Sequence, residues 1–254
     1  MPRLFSYILL LCLSHLALAQ DIPDFSANYL VKLNGIQAGE LKRTLTTEDN
    51  GLRKFNSVSQ AKGVFSFFKP DIVEETSIWQ LIDGTVTPQR YQYQRTGGKK
   101  DKFLQMLFDW HNSRVSIDDH QHPWQLDIQQ GVLDKLVYQI SLMQDLASGI
   151  EQVDYLIADG GRLKTYQIKV LGKETITTPM GQIETVKLTR HREKPKDRDT
   201  TLWCAPALNY LPVKLEHVED GTVFTALLRR LRGIESEQAF TPLQQGSTSA
   251  IKQP

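Results

Sequence analysis

Cysteine is nearly absent from these 254 residues: there are two, Cys12 and Cys204. Cys12 lies in an apolar leader expected to be removed, so the mature chain keeps one thiol and can close no internal disulfide. Stability must therefore come from apolar burial. Leu11, not a small residue, precedes Cys12, which argues against a lipid-anchored form. Long hydrophobic runs are missing beyond the N-terminus, where no segment approaches the ~18 uninterrupted apolar residues of a spanning helix. Net charge is missing as well. The 30 Lys+Arg face 29 Asp+Glu, and losing Arg3 with the leader leaves 29 against 29. A formal charge of zero favours neither nucleic acid nor an anionic surface as a partner of the molecule as a whole. No Asn-x-Ser/Thr acceptor occurs, which favours a bacterial envelope over a glycosylating secretory route.

What is present begins with MPRLFSYILLLCLSHLALAQ, which has a positive charge at Arg3, an apolar run from Leu4 to Leu18, and Ala17 and Ala19 in an A-x-A arrangement. These are the parts of a secretory signal over residues 1–19, with cleavage before Gln20 and a periplasmic destination. The remainder, 40% hydrophobic and 23% charged over the whole chain, has globular composition.

Only one stretch reads as an amphipathic helix, GVLDKLVYQISLMQDLASG from Gly131 to Gly149, with the helix near 134–147. Leu133, Leu136, Val137, Ile140, Met143 and Ala147 recur at helical spacing, with Leu142 outside that stripe and Gln144 inside it. Asp134 is placed to accept bonds from the first free N–H groups, and Gly149 to adopt the left-handed stop. So short a helix is unstable alone and must lay its face on a sheet.

Around it the chain alternates with a period of two. Strands are expected at Phe25–Leu33, Leu41–Thr47, Arg53–Ala61, Ile72–Ile82, Val86–Arg95, Phe103–Trp110, Arg114–Asp118 and Trp124–Ile128, separated by turns such as Asn50-Gly51, Asp83-Gly84 and Gly97-Gly98. After the helix come strands around Val153–Ile157, Tyr166–Val170, Ile183–His191, Thr200–Ala205, Leu211–Leu215 and Val223–Leu231, with Gly172 interrupting one run and Arg192–Asp199 forming a hairpin tip. GVFSFFKP, Gly63–Pro70, lacks strand alternation and is read as a buried wedge or short helix closing one end of the core, the alternative being an exposed aromatic patch for a partner or lipid. Residues 236–254 fall to Gln, Ser, Thr, Pro and Gly and are expected to be a disordered tail. The fold expected for 20–235 is mainly β: one long antiparallel sheet rolled into a spiral or broken barrel, with one packed amphipathic helix.

NGIQAGELK after the first strand, FDW at Phe108–Trp110, LDKLVYQISLMQDLASG, TPMGQIETVKL from Thr178 and TTLWCAPALNYLPVKLE from Thr200 stand in this order. Together they resemble the bacterial envelope family known as domain of unknown function 3108, over about Phe25 to Arg232. The resemblance implies a secreted Gram-negative protein with a spiral or broken-barrel sheet around one helix, and it carries over no active site. Within these motifs Gly181 is expected to need a positive φ, Pro212 to mark an edge or bulge, and Trp203 to anchor the core of the final sheet.

Candidate chemistry is thin. His120 and His122 with Asp118, and His111 a turn away, suggest a metal, but HQHP reads as a solvated turn. Cys204 with His191 or His217 suggests a cysteine hydrolase, but a strand-borne thiol beside Trp203 reads better as a small buried hydrophobe. Glu74 and Glu75, or Asp118 and Asp119, point to opposite faces of a strand and read as surface charges. Arg190–Arg198 and Arg229, Arg230 and Arg232 are the basic concentrations. No catalytic, cofactor-binding or metal residue is therefore assigned. The reading is a non-catalytic binding or scaffold protein of the cell envelope, for a lipid-like ligand or a protein partner and without nucleic acid. The alternative is a periplasmic hydrolase whose site the sequence does not mark.

Overall fold

The computed structural model describes residues 22–121, 123–192 and 198–243, without the side chains of 191–199. The proposed signal, His122, the centre of the Arg192–Asp199 tip and the end of the tail lie outside the described residues.

Eight strands, β1 (Phe25–Leu33), β2 (Ile36–Thr47), β3 (Arg53–Ala61), β4 (Ile72–Ile82), β5 (Thr85–Thr96), β6 (Lys102–Asp109), β7 (Arg114–Asp118) and β8 (Trp124–Asp127), form an antiparallel meander. One helical turn, α1 (Phe65–Phe68), connects β3 to β4. A two-residue strand, β9 (Leu133–Asp134), precedes the helix α2 (Tyr138–Ala147). The second wing is β10 (Gln152–Ala158), β11 (Leu163–Thr178), β12 (Gly181–Arg192), β13 (Arg198–Ala205), β14 (Leu211–Glu219) and β15 (Thr222–Arg232). β15 pairs with β1, which joins the wings into one sheet of 15 strands that ends on β8 and β9 and does not close. Every pairing is antiparallel except β9 with β10, which flank α2 and run parallel.

Local chemistry explains the turns. Asn34-Gly35, Asp83-Gly84 and Asp220-Gly221 all take positive φ at both positions, the conformation whose twist suits a two-residue hairpin. Gly172, expected to interrupt a run, instead sits at φ 141° where the register slips within one 16-residue β11. A bulge adds a residue without ending the strand. Pro212 sits at a register shift between β13 and β14, the bulge its missing N–H requires. Gly181 has φ 131°, and a Cβ there would meet the Thr241 carbonyl at 2.6 Å.

The sheet rolls around α2. Inside, Leu45, Tyr91, Met106, Ile117, Ile157, Leu202 and Leu228 are sealed and form one core with the helix. Two expectations for the helix need correction. It begins at Tyr138, not at 134, because Leu133 and Asp134 are held as strand beside Ile157 and Ala158. Leu142 and Leu146 are buried and Ala147 is exposed, so the buried face, Tyr138, Gln139, Ile140, Leu142, Met143 and Leu146, covers rather more than half of the circumference, and Ser141, Gln144 and Asp145 on the remainder are half-buried. A helix cradled by a rolled sheet keeps only a narrow polar face toward solvent. Asp134 still serves as expected: its Oδ1 accepts the N–H groups of Leu136 and Val137, both at 2.8 Å. Gly149 takes φ 84°.

The tail also departs from expectation. Ser236–Leu243 is docked: Thr241 pairs with Gln182, and Phe240 packs against the core. One aromatic ring is enough to hold a segment whose average composition reads as disordered.

Candidate binding rim

Polar groups inside the roll come first, since they are where chemistry would have to occur. On β4, Glu75 and Ser77 face inward with Trp79. Ser77 donates to Asp134 Oδ2 at 2.5 Å, Tyr91 donates to Glu75 Oε1 at 2.6 Å, and Lys135 pairs with Glu75 at 3.1 Å while lying over the rings of Tyr91 and Tyr93. Burial pushes the Asp134 carboxyl up to about 6, against the pull of the Ser77 and backbone bonds. Further round, Arg43 donates to Gln139 Oε1 at 2.6 Å above the Tyr29 ring. Arg190 donates to the Tyr138 and Thr200 hydroxyls and stacks over Tyr166. Neither arginine has a carboxylate partner among the described residues. These groups fasten α2 to both wings, and only Lys135, Glu75 and Arg190 among the charged ones are partly exposed. The sequence reading missed them, although Arg43 shares the strand parity of buried Leu41 and Leu45, which is the signal that marks it as inward.

The histidines are not brought together. His111 lies in the β6–β7 turn and His120 beyond the far end of β7, so the whole strand separates them. The His120 ring stacks on Phe103 at 4.1 Å, and the Asp118 carboxylate accepts the His120 N–H. Cys204 is fully buried, and burial pushes its thiol above the usual range. His217 sits across from Thr200, four residues along β13 from Cys204, with Nδ1 3.0 Å from the Thr200 hydroxyl. The side chain of His191 lies outside the described residues, and its backbone is five residues along β12 from Val186, the partner of Cys204; among the described residues nothing activates the thiol. Glu74 and Glu75 do face opposite ways, but only Glu74 is a surface charge. Arg229, Arg230 and Arg232 point outward, with Arg229 on Glu40 at 3.1 Å. Trp203 is buried as expected and donates to Glu174 at 3.1 Å.

The meander then dictates where the remaining features gather. Successive antiparallel strands place the β1–β2, β3–β4, β5–β6 and β7–β8 connections at one end of the roll. At that rim α1 stands clear of the sheet: Phe67 is 85% and Phe68 81% exposed, which settles the Gly63–Pro70 stretch against a buried wedge. The turn holds itself, with Ser66 Oγ and N donating to the Gly63 carbonyl and Lys69 N to Phe65 O. Of the ten large apolar residues left exposed among the described residues, five share this rim: Ile36, Val64, Phe67, Phe68 and Ile72. The β5–β6 loop lies alongside. Gly97 packs on the Pro70 carbonyl and Gly98 on Asp71, Asp71 pairs with Arg95 at 3.5 Å, and Arg95 donates to the Lys100 carbonyl. That clip holds Lys99 and Lys100 beside the aromatic turn, with Lys62, Lys69 and Lys102 nearby. Only Lys62 of these five has an ion-pair partner among the described residues, Glu40 at 4.0 Å. On the outer face of β6–β8, Gln105, Leu107, Ser116, Asp118, Trp124 and Gln125 border a cleft of about 420 Å³.

Residues 28–229 match the family described as protein of unknown function (DUF3108). The chain belongs to this family. The DUF3108 match spans both wings and α2, so the rolled sheet with its helix is the family's unit. No curated protein matches the sequence. Among solved structures, a beta-barrel-like protein of domain of unknown function DUF1849 from Brucella abortus is 11% identical, with a TM-score of 0.55 over 84% of this chain and 98% of that one. At that identity the likeness concerns the fold alone. MucB in complex with MucA(peri) is 7% identical over 85% of this chain and 90% of that one, with a TM-score of 0.17, too low for a shared fold. No helix among the described residues is long and apolar enough to cross a membrane.

Proposed function

We propose that this DUF3108 protein is a secreted, non-catalytic binding protein of the cell envelope, exported to the periplasm with Gln20 as its first residue, that engages its partner through the outside of the roll. One observation carries the reading: a pair of phenylalanines held almost wholly in water on a self-bonded turn. Exposed aromatic pairs cost solubility and mark interaction sites. The interior supports the same reading, because the ionisable groups described there are engaged in fastening the helix. The test has two parts. N-terminal sequencing of the periplasmic fraction is expected to give Gln20, and retained Met1 in a membrane pellet would refute export. Binding of the purified mature protein to washed envelope membranes is expected to fall at least tenfold when Phe67 and Phe68 are both replaced by Ser; unchanged binding would overturn the role of the rim.

A further inference from the structure

We infer that the partner of this rim is the anionic phospholipid surface itself. The inference rests on the binding role proposed for the rim and gives that role its chemistry. Charge complementarity decides the occupant. The apolar group at the tip, Phe67, Phe68, Val64, Ile36 and Ile72, is bordered by Lys62, Lys69, Lys99, Lys100 and Lys102; of the acids toward the same end, Glu40 meets Lys62 and Arg229, Asp118 meets His120, and Asp101 in the β5–β6 loop has no ion-pair partner among the described residues. Asp71 is already matched by Arg95. A chain with no net charge after loss of its leader thus concentrates free cations around its most exposed aromatic rings.

The pattern matches an interfacial surface: rings enter the boundary between headgroups and acyl chains, while ammonium groups on flexible stems stay at the level of the phosphates. Each lysine near an anionic surface strengthens binding about fivefold. The four lysines without an ion-pair partner among the described residues, Lys69, Lys99, Lys100 and Lys102, and the two rings therefore suffice for reversible attachment without a spanning segment. The backbone suits the task, since the clip through Arg95 and the Lys100 carbonyl fixes the second loop beside the first. The roll would stand on the membrane by the end that carries α1, with the opposite rim, which bears Ile82 in the β4–β5 hairpin, facing away.

The test is co-sedimentation of the mature protein with phosphatidylethanolamine vesicles, with and without phosphatidylglycerol. Binding is expected only where phosphatidylglycerol is present and should weaken as salt is raised. Lys99→Gln with Lys100→Gln should lower it about tenfold or more, and Phe67→Ser with Phe68→Ser should abolish it. Ile82→Ser, an exposed apolar position at the far end, should leave it unchanged. All these residues are exposed, and an unaltered urea midpoint confirms that each variant is folded. Equal binding to both vesicle types, or equal binding by all variants, would overturn the inference. Rim-dependent binding to washed envelope membranes but not to protein-free vesicles would also overturn it, pointing to a protein partner while the proposed binding role stands. Loss of rim dependence on the envelope membranes as well would remove both.

Discussion

Arg43 is a cation withdrawn from water with no carboxylate beside it among the described residues, 7% exposed and dependent on Gln139 and the face of Tyr29. Removing one partner of such a contact strands the other, whereas removing both together can be nearly neutral. Gln139→Leu is therefore expected to cost about 2–3 kcal/mol. Arg43→Met combined with Gln139→Leu should recover most of that loss, and a double-mutant cycle by urea denaturation measures the coupling. Asp134 makes a second residue-scale expectation. Among Glu75, Ser77, Tyr91 and Lys135 its folded-state carboxyl holds a proton up to about pH 6, and an unfolded carboxyl only to about 4. Between those values the folded state binds more protons, so stability should fall as pH rises from about 4 to about 6, by up to about 3 kcal/mol, and level off above. Asp134→Asn cannot ionise and should flatten that slope, as paired urea titrations across the window will show. An equally steep slope in both proteins would place the titration elsewhere.

Elements tell how much was readable beforehand. Phe25–Leu33, Arg53–Ala61 and Arg114–Asp118 end where alternation and turn residues say they should. Each has one face on the core and one in water, so its period of two survives in the sequence. The start of α2 was not readable, because Leu133 and Asp134 fit helix and strand alike, and only pairing with Ile157 and Ala158 decides between them. Arg43 and Glu75 are hard to read because charge marks a residue as outward where strand parity marks it as inward. The expectation of a buried wedge at α1 fails for a related reason: composition does not tell which side of a turn meets water. Ile140→Asp, at the sealed centre of α2, is expected to cost several kcal/mol through desolvation, and Ser141→Asp only a few tenths. Equal effects in urea denaturation would mean the helix is not packed as described. Deleting everything from Ser236 onward should cost about 1–3 kcal/mol, because it removes the Phe240 contact. That would show as a melting point lower by several degrees. An unchanged melting point would show that Phe240 contributes nothing.

At the scale of the whole molecule the joint between β1 and β15 matters most, with Ala27 opposite Leu231 and Val31 opposite Ala226. The first strand to leave a ribosome or an export channel waits for the last. Until β15 arrives, the eight strands from β1 to β8 stand as a finished meander with a bare edge along β1, a row of unpaired N–H and C=O groups ready to accept any extended chain. Pairing across nearly the full length of the sequence is slow to find, so refolding should take milliseconds to seconds or longer. A chain ending at Tyr210 lacks both β14 and β15 and should aggregate, even though its N-terminal wing is complete. Light scattering during refolding of that truncation, with and without a synthetic peptide spanning β15, would register the exposed edge. The peptide should suppress aggregation if β1 is the sticky strand. The interval between synthesis of β1 and β15 is thus the time in which this protein is most at risk from its neighbours, and a factor that shields strand edges during delivery would act there first.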